Sequence, residues 1–139
     1  MSSPKRYLVD TNIFLRFLSG TPPHQAAAAR DLFNRAKEGE VVLEIAPIIV
    51  AEVYYTLLTF YGLERKEASE KLLHLLQQRG VKVRESDLVL NALRHLQSVN
   101  VALADAYLAT AAAAERLPVA SFDKDFDKFP GVSRYEPTP

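Results

Sequence analysis

Residues Lys5–Gly20 read KRYLVDTNIFLRFLSG, an apolar stretch, Tyr7-Leu8-Val9, that runs straight into Asp10. Thr11 and Asn12 follow, and a second apolar run starts at Ile13. The pattern predicts a buried strand over residues 5–9. A short helix follows, capped by Thr11, running to about Leu18 and ended by Ser19-Gly20. A buried strand end seldom carries an unpaired charge, so Asp10 calls for a functional explanation.

Working outward, the rest of the chain alternates helices with short strands. After the turn at Thr21-Pro22, a helix is expected from about Pro23 to Glu38, closed by Gly39. VVLEI (41–45) reads as a second strand. Pro47 opens a helix that is apolar almost all round, IIVAEVYYTLLTFYG, ended by Gly62. From Glu64 to Gln78 the helical period puts Ala68, Leu72, Leu75 and Leu76 on one face. VKVRE (81–85) is a third strand, and Ser86 or Asp87 begins a helix to about Ser98. VALADAYLATAAAAERL (101–117) is an alanine-rich helix, and Pro118 starts a short strand, PVAS. FDKDFDKF (122–129) is a loop or one helical turn, and the tail GVSRYEPTP can add an edge strand. Strands separated by helices point to an α/β fold with a mostly parallel sheet covered on both faces. With no repeat or linker, one domain over 1–139 is expected. In such sheets ligands sit beyond the carboxyl ends of the strands. Asp10 and Asp123 share that edge if their strands are neighbours.

Composition narrows the class. Apolar residues make up 48% of the 139 and charged residues 24%, a globular balance. Without cysteine, disulfides and thiolate metal sites are excluded. The start, MSSPKRYLVD, lacks a signal-peptide layout, and no stretch is long enough to span a membrane. The expectation is a soluble cytoplasmic protein. Seventeen basic residues balance 17 acidic ones, so nucleic-acid binding is not advertised by net charge, although a local basic rim can act while the total cancels.

Several acids stand where an acid needs a reason. Glu52 has Ile48, Ile49, Tyr55 and Thr56 as its helical neighbours, and a carboxylate among apolar groups is costly unless paired or metal-bound. The plain alternative is that it reaches water beside the tyrosines. Asp105 lies in the first turn of its helix, where the macrodipole favours an anion. The small Ala102, Ala104, Ala106 and Ala109 around it leave space for an ion or a backbone. Asp123 can serve simply as an N-cap, and Asp125 and Asp127 can be solvated. Ser121, two residues earlier, can orient the Asp123 carboxylate or a bound water. Together these acids could converge on one edge of the sheet, where like charges raise each other's pKa. A hard divalent cation is the usual remedy, and oxygen-only ligands suit Mg²⁺ or Mn²⁺. His24, His74 and His95 show no metal spacing.

Four elements in order, YLVDTNIFL, IIVAEVYYTL with Glu52, LADAYLATAA with Asp105, and VASFDKDFDKF, make the sequence resemble the PIN-domain family. Within it, the resemblance is to the VapC-type toxins of toxin–antitoxin pairs, over essentially the whole chain. It implies a three-layer α/β/α sandwich with a mostly parallel sheet of four to five strands, and a Mg²⁺- or Mn²⁺-dependent ribonuclease. By position, the implied catalytic acids are Asp10, Glu52, Asp105 and Asp123, with Asp10, Asp105 and Asp123 as metal ligands. Thr11, Asn12 and Ser121 match supporting polar positions, and Asp125 one that is often acidic. Pro47 stands where the family often has Ser or Thr. The implied partners are RNA, a cognate antitoxin and a second copy of the chain in a homodimer. Arg16, Lys124 and Lys128 are the candidates for holding RNA phosphates. Phe14, Phe17, Tyr54, Tyr55, Leu58 and Tyr61 are candidate groove residues, most of them better read as core.

Rival readings are weaker on the residues themselves. A haloacid-dehalogenase-type enzyme needs a second Asp two residues after the first, and position 12 is Asn. A response-regulator receiver needs an acceptor Asp ending a middle strand, and neither VVLEIAP nor VKVRE supplies one. A non-catalytic PIN scaffold and a stand-alone RNA-processing nuclease remain as alternatives.

Overall fold

The helix starts and stops follow from local chemistry. In the computed structural model, which describes residues 3–139, β1 spans Lys5–Leu8 and α1 spans Thr11–Ser19. Met1 and Ser2, part of the expected domain and of the start read as lacking a signal layout, lie outside the described residues. Gly20 ends α1 in the left-handed conformation, its N–H donating to the Arg16 carbonyl. α2 (Pro23–Lys37) and α3 (Pro47–Thr59) each begin on a proline, which needs no donor there. α4 (Arg65–Leu76), α5 (Ser86–His95) and α6 (Leu103–Glu115) complete the helices. α4 and α5 stop short of the expected Gln78 and Ser98, and α6 starts after Val101. No described helix is long and apolar enough to cross a membrane.

The strands are β1, β2 (Val41–Ile45), β3 (Val81–Val83), β4 (Val119–Ala120) and β5 (Arg134–Tyr135), and every pair is parallel. This is an α/β fold with a parallel sheet flanked by helices, as the alternation predicts. The strands do not form one continuous sheet, however. The orders are β1-β2-β3 and, separately, β4-β5. The two strands that end at Asp10 and near Asp123 are therefore not hydrogen-bonded neighbours. β1 is also an edge strand, so Leu8 is 68% exposed and only Val9 of the expected buried stretch enters the core.

β2 is the centre of the larger sheet. Val41, Leu43 and Ile45 are buried with Phe14, Phe33, Val53, Tyr54, Leu72 and Leu93. The predicted α4 face, Ala68, Leu72, Leu75 and Leu76, is buried as expected. Buried Ser69 joins it because its hydroxyl donates to the Leu93 carbonyl of α5. Gly80 is required by close approach. Its φ is +86°, and a Cβ there would stand 2.3 Å from the Ala36 carbonyl oxygen at the end of α2.

On the other face of β2, Glu44 is only 12% exposed and pairs with Arg6 of β1 and with Arg84 just after β3. The Arg6 hydrogen bond is the main cause holding the Glu44 carboxyl below its ordinary range; partial burial opposes it, and the charges of Arg6 and Arg84 add to it. A lowered folded-state pKa gives stability that is present above the unfolded value of about 4.3 and is lost as pH falls through the folded value. Urea unfolding at pH 7 and below pH 4 is the check. Glu44→Gln is expected to lower the midpoint at pH 7 and to flatten its fall at acid pH. An unchanged pH profile would rule the pair out as a stabilising contact.

Candidate active site at the strand ends

Asp10 follows β1, and its extended backbone (φ −82°, ψ 157°) makes it the N-cap of α1. Its Oδ1 accepts the Thr11 N–H at 2.8 Å. The cap is thus Asp10 and not Thr11, as had been expected, because Thr11 has already entered the helix. Thr11 is buried, and its hydroxyl has no partner among the described residues. Asn12 is exposed on the same turn. Capping explains one oxygen of Asp10; the exposed carboxylate leaves the other available.

Glu52 lies on α3, on a stripe with Ile48, Tyr55 and Thr59 that faces solvent. The expectation of costly apolar surroundings does not hold. Val50, Val53, Tyr54 and Leu57 take the core side, and Glu52 reaches water. Asp105 is the third residue of α6 and is partly buried. Ala106 and Ala109 are packed in the core, so they do not supply the space expected beside it.

Asp123 caps the 3₁₀ turn Lys124–Lys128, with its Oδ1 accepting the Asp125 N–H at 2.8 Å. The Ser121 hydroxyl accepts the Asp123 N–H at 2.9 Å. It therefore fixes the Asp123 backbone, not its carboxylate as expected. Asp125 pairs with Lys128 at 3.0 Å. Arg134, which sequence reasoning missed, donates to both Asp127 oxygens, to Glu136 and to the Ser121 carbonyl. It ties β5 to the turn and so steadies the Asp123 loop. Glu136 lies two residues on, but Asp127 and Ser121 lie seven and 13 residues earlier, so sequence spacing does not mark the cluster. Arg16 donates to the Gln25 side chain of α2. Of the three expected phosphate contacts, Arg16 and Lys128 are engaged within the protein, and Lys124 is exposed.

Burial raises the Asp105 carboxyl above its ordinary range, and the charges of Asp123 and then Asp125 raise it further. These three acids form one electrostatic group. Among the described residues, no three carboxylates or imidazoles converge tightly enough to form a metal cage. The donor set nevertheless fits a hard divalent cation, being all oxygen and carrying negative charge that the local cations do not cancel at Asp105.

An apolar groove of about 470 Å³ runs between α3 and α6. Ala51 and Ala104, the chain neighbours of Glu52 and Asp105, line it with Ile48, Tyr55, Tyr107 and Leu108. Of the expected groove residues only Tyr55 contributes; Phe14 and Tyr54 are core, and Phe17, Leu58 and Tyr61 pack against the core. A cleft of about 530 Å³ near Leu63, Arg65 and Asn100 carries none of the candidate acids.

A family model of the PIN domain matches residues 7–132, a span that contains all four acids. The chain belongs to the PIN-domain family. PIN domains are generally nucleases, and PIN nucleases generally use divalent metal ions and bind RNA. No curated protein matches the chain.

The raised Asp105 makes a stability prediction. A raised folded-state pKa gives stability that is present below the unfolded value of about 3.9 and lost as pH rises through the folded value. Ionised Asp105 therefore opposes folding at neutral pH. Asp105→Asn is expected to raise Tm at pH 7 in EDTA, with the difference shrinking below pH 4. Thermal circular dichroism decides it, and an unchanged or lower Tm at pH 7 would contradict the electrostatic assignment.

Proposed function

We propose that the protein, acting as one domain, is a Mg²⁺- or Mn²⁺-dependent endoribonuclease and the toxin of a VapBC-type pair. The observation that carries the nuclease reading is the PIN match over residues 7–132, a span that contains Asp10, Glu52, Asp105 and Asp123. Asp10, Asp105 and Asp123 would hold the cation, and Glu52 would either add a ligand oxygen or accept a proton from the attacking water. When bound, a divalent cation activates water and neutralises charge developing on the phosphate.

The remaining work falls to the chain itself. The Asp10 cap and the Ser121 contact hold two of the acid-bearing loops in place. Thr11 and Asn12 support the Asp10 turn, and the Asp125–Lys128 pair restrains the turn after Asp123. Lys124, exposed beside Asp123, is the nearest free cation in sequence for an RNA phosphate. Water attacks phosphorus, and the P–O bond to the leaving nucleotide breaks. A single-stranded segment suits a site of exposed acids, since its backbone can be splayed into a cleft.

The groove between α3 and α6 supports the antitoxin reading. An apolar partner segment seated there would run past Glu52 and Asp105 and could block both. A homodimer and a cytoplasmic setting complete the proposal. One observation favours a non-catalytic PIN scaffold instead: the acids do not converge into a three-ligand cage among the described residues. Conversely, retention of all four acids favours the enzyme.

RNA cleavage by the purified protein with Mn²⁺, against EDTA and against Asp10→Asn, separates these readings. Asn keeps the size and removes the charge. Activity is expected to vanish in EDTA and to fall by more than about 100-fold in the variant. Cleavage that survives both controls would dismiss the mechanism, and no cleavage by antitoxin-free protein on any RNA tested would favour the scaffold.

A further inference from the structure

Phe122 stands between Ser121 and Asp123 and is 72% exposed. A lone surface phenyl ring needs no explanation in general, but this one sits on a loop whose backbone is pinned on both sides. The Ser121 N–H donates to the Tyr135 carbonyl at 3.0 Å, and the Ser121 carbonyl accepts from Arg134 at 3.2 Å. The next N–H, that of Asp123, is held by the Ser121 hydroxyl, and the Asp123 carboxylate caps the following turn. The attachment of the ring is therefore fixed beside the acids. Tyr135, the register partner of Ala120, adds a second exposed aromatic, at 56%, near the same strand end.

The electrostatics ask for such a group. The chain carries no net positive charge, and the acids around Asp105 repel phosphates. Two of the nearest candidate cations are bound to protein side chains. Uncharged contact must then supply much of the affinity for a nucleic-acid strand. An exposed aromatic face does this through base stacking, which tolerates any base. Phe122 also lies outside the apolar groove between α3 and α6, so it is not part of the surface best suited to a protein partner.

We propose that Phe122 is a substrate-positioning residue that stacks on the base next to the scissile phosphate of a single-stranded RNA, with Tyr135 as a secondary platform. The inference rests on the ribonuclease reading above. It accounts for how a neutral protein holds a polyanion against its own carboxylates.

The test uses the full chain and a short single-stranded RNA carrying one 2-aminopurine. Phe122→Ala is expected to raise KM by about 5- to 150-fold, the range for one lost stacking contact. Expected with it are a smaller change in kcat, an unchanged Tm and a KM restored by Phe122→Trp. In the Asp10→Asn background, binding is expected to quench 2-aminopurine, and adding Phe122→Ala is expected to abolish the quench. A wild-type KM and a persisting quench in Phe122→Ala, while the parent protein cleaves RNA, would overturn this inference alone. A marked fall in Tm would overturn it by making Phe122 a structural residue. A parent protein that neither cleaves nor binds RNA would remove the ribonuclease reading and this inference together.

Discussion

Partial burial of the Asp105 carboxyl, with the charges of Asp123 and then Asp125 beside it, is the constraint on which the candidate site depends. Asp105 is held partly buried while Asp123 and Asp125 add negative charge nearby, and its carboxyl rises accordingly. Without a cation that arrangement costs stability. The fold sustains it because each acid loop is fastened elsewhere. Asp10 caps α1, Asp123 caps the 3₁₀ turn, and Arg134 braces the turn through Asp127, Glu136 and the Ser121 carbonyl. The cost is thus borne by the core, which reaches the acids through their neighbours Val9, Val53 and Ala106.

What the sequence reveals depends on how local the cause is. Helix starts at Pro23 and Pro47, the stop at Gly20 and the buried face of α4 all follow from chemistry within a few residues, and the structure shows them. The alternation of strands and helices likewise predicts a parallel α/β fold. Non-local features are not legible in the same way. Glu44 gains two arginines from flanking segments, Gly80 is demanded by the end of α2, and Arg134 acts across a strand pair. The expected buried first strand and single sheet fail for a related reason. Strand pairing is a choice among distant partners, and among the described residues β4 is hydrogen-bonded to β5 and not to β1.

The acids show the same division. Their positions in the chain are readable: Asp10 and Asp123 just after strands, Asp105 in the first turn of a helix and Glu52 in the middle of one. Their surroundings are not. Glu52 is exposed because the apolar helix that carries it uses its other side for the core. The alanines near Asp105 serve packing. The groove is built mainly from α3 and α6, helices far apart in sequence, so periodicity does not mark its lining; most of the candidate groove residues lie in or against the core, the reading preferred for them. The result is an apolar groove whose lining includes Ala51 and Ala104, the chain neighbours of Glu52 and Asp105.

Calorimetric titration of Mn²⁺ into the wild-type chain, Asp105→Asn and Asp10→Asn tests the central claim that these separately anchored acids serve one cation site. The account predicts binding by the wild type, weakened by at least about 10-fold in each variant. No binding by the wild type, or an affinity that neither substitution changes, would contradict it.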